Sequence, residues 1–178
     1  MENIYQHLLS RHMDINLHKP YIDEIEGVAT FPLWNLSGVM VGYQQYRPMG
    51  NKEEFNHPKL GKYYTYRNNN YPTISVWGVE SLHLTPNIVF LTEGIFDACR
   101  LTSHGITAVA VLSNDPVPDL RNWLRGMGKV SVTVCDNDKA GAKLAKFGTY
   151  SEVVPCHDLG DASDGYVQDL IAKYRRYL

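Results

Sequence analysis

Three carboxylates stand where chemistry is most easily done. Glu93 closes the apolar run Val89-Phe90-Leu91-Thr92, and Asp136 and Asp138 close the run Val130-Ser131-Val132-Thr133-Val134-Cys135. Each acid is followed by a segment of helical composition, residues 95–104 and 139–147. A β-rich run that stops at an acid, turns and becomes a helix is a βα unit. Parallel α/β sheets handle ligands at the carboxyl ends of their strands. Side chains two apart in extended backbone point the same way, so Asp136 and Asp138 are expected to approach one point. Asp97, one helical turn beyond Glu93, joins them as a candidate. Such oxygen donors suit Mg²⁺ or Mn²⁺, and Mg²⁺ takes few protein ligands and fills its shell with phosphate and water. One or two such ions stabilise the attacking and leaving oxygens in phosphoryl transfer.

Blander roles compete for the same residues. Asp138 is well placed to cap the helix after it, and Asp97 puts a carboxylate near a positive helix end. Asp136-Asn137-Asp138-Lys139-Ala140-Gly141 begins like a calcium loop but has Ala140 and Phe147 where further ligands belong, which argues against an EF-hand. The seven histidines contain no His-x-x-x-His pair, and no Gly-x-x-x-x-Gly-Lys-Ser/Thr is present. Ser113 has no nucleophile-elbow context.

The bulk numbers bound the partners. A chain of 178 residues, 44% hydrophobic and 20% charged, is an ordinary globular length and composition. A net charge of −2 means that nucleic acid would have to be met by a local patch rather than an overall basic field. The three cysteines, Cys99, Cys135 and Cys156, form no Cys-x-x-Cys, so neither a zinc knuckle nor a disulfide framework is indicated. Cys99 and Cys135 fall in apolar segments and are expected in the core. No apolar stretch is long enough to span a bilayer, and a cytoplasmic location is expected.

The elements that must position the acids follow from periodicity. Residues 88–92, 107–112, 129–135 and 150–154 read as strands. They alternate with helices over 95–104, after Pro116 to about 125, from 139, and over 163–177. That alternation predicts a mainly parallel sheet covered by helices. Before it, residues 3–13 read as a short amphipathic helix and 14–27 as loop. Residues 28–34 and 39–46 form an expected hairpin around Asn35-Leu36-Ser37-Gly38. Pro32 predicts an edge or a bulge in the first of these strands. Tyr63-Tyr64-Thr65-Tyr66 is a further strand, Asn68-Asn69-Asn70 a turn, and Thr73-Ile74-Ser75-Val76-Trp77-Gly78 extended again. Arg47, Lys52, Lys59, Lys62 and Arg67 lie among aromatic residues there, a mixture suited to phosphate contact and base stacking. The rhythm changes at Leu84-Thr85-Pro86-Asn87, giving an N-terminal α+β part over 1–86 and an α/β part over 87–178.

On these residues the chain resembles toprim-domain proteins. Glu93-Gly94-Ile95-Phe96-Asp97-Ala98 looks like the toprim glutamate motif, and Asp136-Asn137-Asp138-Lys139-Ala140-Gly141 looks like its Asp-x-Asp motif. Gly160-Asp161-Ala162-Ser163-Asp164 resembles the acidic segment that follows in primases, with Gly160 in place of a basic residue. Phe31-Pro32-Leu33-Trp34-Asn35-Leu36-Ser37-Gly38, Val41-Gly42-Tyr43-Gln44 and Ser75-Val76-Trp77-Gly78-Val79-Glu80 are similar to the β-rich subdomain that precedes toprim in bacterial and phage primases. The resemblance implies metal-dependent synthesis of short RNA primers on single-stranded DNA from ribonucleoside triphosphates, in DNA replication. It implies Glu93, Asp97, Asp136 and Asp138 as catalytic acids, and Glu93, Asp136, Asp138 and Asp161 around Mg²⁺ or Mn²⁺. It makes Arg47, Lys62, Arg67, Ser113, Asn114 and Lys139 candidates for nucleotide or template contacts. No zinc-binding module or helicase part is present in these residues, so a replicative helicase or a separate zinc-binding module are expected partners. A toprim nuclease and a non-catalytic nucleic-acid-binding module are the alternatives.

Overall fold

The computed structural model describes residues 3–35, 37–68, 75–113, 118–139, 141–155 and 158–178. The chain opens with α1 (Ile4–Ser10), whose first turn is capped by Asn3 Oδ1 accepting from the Gln6 N–H at 2.8 Å. A second short helix, α2 (Ile15–His18), is capped by Asp14, which accepts from both Asn16 and Leu17 N–H. A strand β1 (Tyr21–Asp23) follows. The sequence reads all of 14–27 as loop, because a four-residue helix and a three-residue strand are too short to express a period.

An antiparallel sheet then forms in the order β1-β2-β3-β4, with β2 (Val28–Trp34), β3 (Met40–Tyr46) and β4 (Tyr63–Arg67). The expected hairpin is present, with Phe31 opposite Gln44. Pro32 lies past the last β1 pair and beside the register shift at Leu33/Trp34, so its missing N–H interrupts nothing. Asn69, Asn70, Thr73 and Ile74 lie outside the described residues, as do Leu36 and Cys156.

The second sheet is entirely parallel, in the order β6-β5-β7-β8. Its strands are β5 (Ile88–Thr92), β6 (Ala108–Ala110), β7 (Val130–Cys135) and β8 (Tyr150–Val153). Every residue of β5 is buried, which is why it reads as a continuous apolar run rather than an alternating one. Between and after the strands run α3 (Ile95–Thr102), α4 (Asp119–Gly126), α5 (Gly141–Leu144) and α6 (Asp164–Lys173). Leu120, Leu124 and Leu144 pack with Val89 and Leu91 on one face of the sheet. On the other, Ile88 and Phe90 share a core with Leu101, Val167 and Leu170. Cys99 and Cys135 are buried and free, as expected. Among the described residues no helix is long and apolar enough to cross a membrane.

The two sheets are stitched by a two-residue splice. Val76 exchanges backbone hydrogen bonds with Trp34 at 2.9 Å, and the next residue, Trp77, exchanges them with Ala110 at 2.9 and 3.0 Å. Because adjacent residues of a strand serve opposite partners, the antiparallel sheet is held against the β6 edge. Trp77 is buried, and Phe31, Leu33 and Tyr46 join the same core as Phe90 and Phe96. This packing brings the faces of both sheets to one cleft.

Candidate active site

Strand order creates the site. The connection from β5 through α3 runs to β6, whereas the connection from β7 through α5 runs to β8 on the opposite side. The carboxyl ends of β5 and β7 therefore flank a topological switch point, where the departing loops leave a crevice. Glu93 is the first residue after β5 and Asp136 the first after β7. Both line an open cleft of about 510 Å³ with Gly94, Asp97, Leu112, Ser113 and Asp158. The far wall brings Gln44 from β3, Tyr63 from β4 and Arg11 from the end of α1.

Glu93 is half-buried, and its Oε1 is buried without a hydrogen-bond partner. Burial raises its pKa above the usual carboxylate range, and the neighbouring charges of Asp136 and Asp138 raise it further. A carboxylate withheld from water and facing other carboxylates is costly unless a cation or proton joins it. The donor set therefore fits a hard divalent ion. Among the described residues no three His, Cys, Asp or Glu side chains stand together as a preformed metal cage.

Asp136 and Asp138 do not act as an equal pair. Strand β7 ends at Cys135, and a bend begins at once, so the rule that residues two apart face the same way no longer applies. Asp138 is exposed and accepts the Gly141 N–H on Oδ1 at 2.7 Å, capping α5. Asp136 is the member of the pair that lines the cleft. Asp97 is 8% exposed, and both its oxygens are engaged: Oδ1 accepts from Gly160 N–H at 2.9 Å and Oδ2 from Gly94 N–H at 3.2 Å. Asp161 turns outward, pairing with Arg11 at 3.0 Å with its side chain 59% exposed, and Asp158 occupies the cleft wall in its place.

The basic candidates scatter. Arg67 donates from Nη2 to the Leu112 carbonyl at 3.0 Å, while Leu112 N–H donates to the Glu93 carbonyl at 3.0 Å. Leu112 has φ +51°, a conformation that costs a branched residue energy, so this clamp from β4 holds a strained residue beside the acid. Lys62 is half-buried with its ammonium 5.9 Å from the centre of the Tyr46 ring. Burial lowers its pKa, as do Lys52 and Arg11. Arg47 leaves the cleft altogether. It follows Tyr46, just past the end of β3, and lines a separate concavity with Asp23, Glu24 and Glu26. Ser113 lines the cleft, Lys139 is exposed outside it, and Asn114 lies outside the described residues.

Tyr63 comes from the stretch read as suited to base stacking, whereas three cleft residues escaped the sequence reading: Arg11, Gln44 and Asp158. Gln44 carried a signal, being a polar residue in phase with buried Tyr46 on β3. Asp158 could have been read as the cap of its turn, since it accepts the Asp161 N–H at 2.9 Å. Arg11 carried none, because its cleft neighbours lie far along the chain.

The same arrangement of sheets is found in solved primase catalytic cores. The chain superposes on the RNA polymerase domain of Mycobacterium tuberculosis primase DnaG in complex with double-stranded DNA at TM-score 0.61 and 18% identity, over 95% of this chain and 60% of that one. It matches the Aquifex aeolicus primase, zinc-binding and RNA polymerase domains, at TM-score 0.60 and 20% identity, over 82% of this chain and 38% of that one. The primase fragment of the bacteriophage T7 primase-helicase matches at TM-score 0.59 and 13% identity, over 89% of this chain and 68% of that one. The chain spans 52% and 60% of the length of two further DnaG catalytic structures that it matches. No family model matches the sequence, and no curated protein matches it. The likeness lies in the fold.

Proposed function

We propose that the chain is a primase-type catalytic core that joins ribonucleotides into short RNA primers on a single-stranded DNA template. The observation that carries this reading is the meeting of Glu93 and Asp136 at the β5/β7 crevice, with Glu93 Oε1 buried and unpartnered. The likeness to primase cores, one of them bound to single-stranded DNA, supports polymerising chemistry for the same fold.

In such a reaction the 3′ oxygen of one nucleotide bonds to the α-phosphorus of the next. The bridge to the β-phosphate breaks, and pyrophosphate leaves. Glu93 and Asp136 would hold Mg²⁺ or Mn²⁺, which when bound supplies charge neutralisation at the transferring phosphoryl group. The proton of the 3′ hydroxyl passes to water or to a cleft carboxylate that does not hold the ion. Tyr63 offers a partly exposed ring on the far wall, against which a base can stack. Asp97 positions rather than reacts, because its oxygens are occupied by backbone N–H groups. A helicase and a separate zinc-binding module are the proposed replication partners.

One incubation tests the reading. Single-stranded DNA, labelled ribonucleotides and Mg²⁺ or Mn²⁺ should yield oligoribonucleotides, and Asp136→Ala should abolish them. Shortened DNA without synthesis would replace the primase reading with a nuclease. Binding of DNA with neither product would replace it with a non-catalytic module.

A further inference from the structure

The cleft is lined by four acids, Glu93, Asp97, Asp136 and Asp158, and among the described residues by one base, Arg11. Arg11 is the C-terminal cap residue of α1, a helix anchored in the core by Ile4 and Leu8. Its guanidinium lies 4.9 Å from the centre of the Phe96 ring, on the first turn of α3. Nη1 donates to Asp161 at 3.0 Å, while among the described residues Nε is buried without a hydrogen-bond partner. Nη2 lies 2.9 Å from the point where a Cβ on Gly160 would stand. The guanidinium thus occupies the space that the missing side chain of Gly160 leaves beside Asp97 and Asp158.

We infer that Arg11 is the protein cation that receives the phosphates of the incoming nucleoside triphosphate, an inference that rests on the polymerising function proposed above. A triphosphate entering four carboxylates meets strong repulsion, and the carboxylates can recruit only metal to offset it. A fork of N–H donors matches phosphate oxygens, and charge-assisted bonds of this kind are about twice as strong as neutral ones. Asp161 and Phe96 hold the fork in place, so little side-chain freedom is lost on binding. Arg47 and Arg67, the guanidiniums that the sequence suggested, are respectively in a separate concavity and engaged by Leu112.

The test measures binding of ATP and of AMP, each with Mg²⁺, to the full chain by calorimetry. Arg11→Ala should weaken ATP binding by about tenfold or more and leave AMP binding within about twofold. Arg11→Gln, which keeps the stem against Phe96, should show the same loss if Arg11→Ala folds poorly. The double variant Arg11→Ala/Gly160→Lys places an ammonium in the vacated space from the other side, and it should recover most of the ATP affinity. Gly160 has no left-handed backbone to forbid the change. Unchanged ATP affinity in folded Arg11→Ala and Arg11→Gln, with wild-type chain still making primers, overturns this inference and leaves the primase reading standing. A wild-type chain that binds no ATP overturns both.

Discussion

The Gly160 N–H donates to Asp97 Oδ1 at 2.9 Å, tying the turn after β8 to the first turn of α3. The other oxygen of the same carboxylate takes the Gly94 N–H at 3.2 Å, the residue next to Glu93. One buried carboxyl therefore fixes two segments of the cleft. Burial pushes its pKa up to about 7, against the lowering effect of the Gly160 bond and with help from Asp158 and Asp136.

That shift makes stability depend on pH. Between the ordinary value of 3.8 and about 7, the unfolded chain has lost this proton and the folded chain retains it. Stability should accordingly fall as pH rises from about 4 to about 7, by up to about 1.4 kcal/mol per pH unit from this group, and level off above. Urea unfolding in EDTA at pH 5, 6, 7 and 8 measures the slope. Asp97→Asn should flatten it, and an unchanged slope in that variant assigns the effect elsewhere.

Gly141 is required by the backbone of Asp136. A Cβ at Gly141 would lie 2.2 Å from the Asp136 carbonyl oxygen, which no rotamer change can relieve. Gly141→Ala should lower the unfolding free energy by about 2 kcal/mol or more and displace Asp136. Denaturant midpoints for wild type and variant decide it. A midpoint equal to wild type would mean that α5 starts differently.

The two aspartates should separate in function. Asp136→Ala should reduce primer synthesis about 100-fold or more, the scale on which losing one group that stabilises transition-state charge is felt, with the melting temperature little changed. Asp138→Ala removes the α5 cap and should cost about 1 kcal/mol of stability with a smaller loss of rate. Equal rate losses would restore Asp138 as a direct ligand.

Lys62 and Arg67 should differ from each other in their salt response. Arg67 is engaged by the Leu112 carbonyl. The slope of log affinity against log salt for single-stranded DNA should therefore fall by about 0.7 in Lys62→Ala, one phosphate's share, and by less in Arg67→Ala. Arg67→Ala should instead impair catalysis, because it releases the Leu112 backbone that Glu93 meets. A full one-phosphate drop with normal turnover in Arg67→Ala would make it a simple phosphate contact.

The parallel half was largely legible because its signals are local. Apolar runs that end in Glu93 and Asp136 announced β5 and β7. Buried β5 and alternating β2 differ in pattern because one has two covered faces and the other has one. The short α2 and β1 were illegible, since neither spans enough residues to repeat.

By itself the sequence determined which acids end strands, where helices follow them, and that a metal-compatible carboxylate cluster was available. Only the tertiary structure decided which members face the cleft. Strand order, set by how sheets and helices pack, put Glu93 beside Asp136 at the switch point. The bend after Cys135 turned Asp138 from the cleft to a cap. The packing of α1 into the shared core delivered Arg11 to Phe96 from a place that no spacing rule reaches, because contacts between distant segments are selected by packing of the whole core rather than by neighbours in the chain.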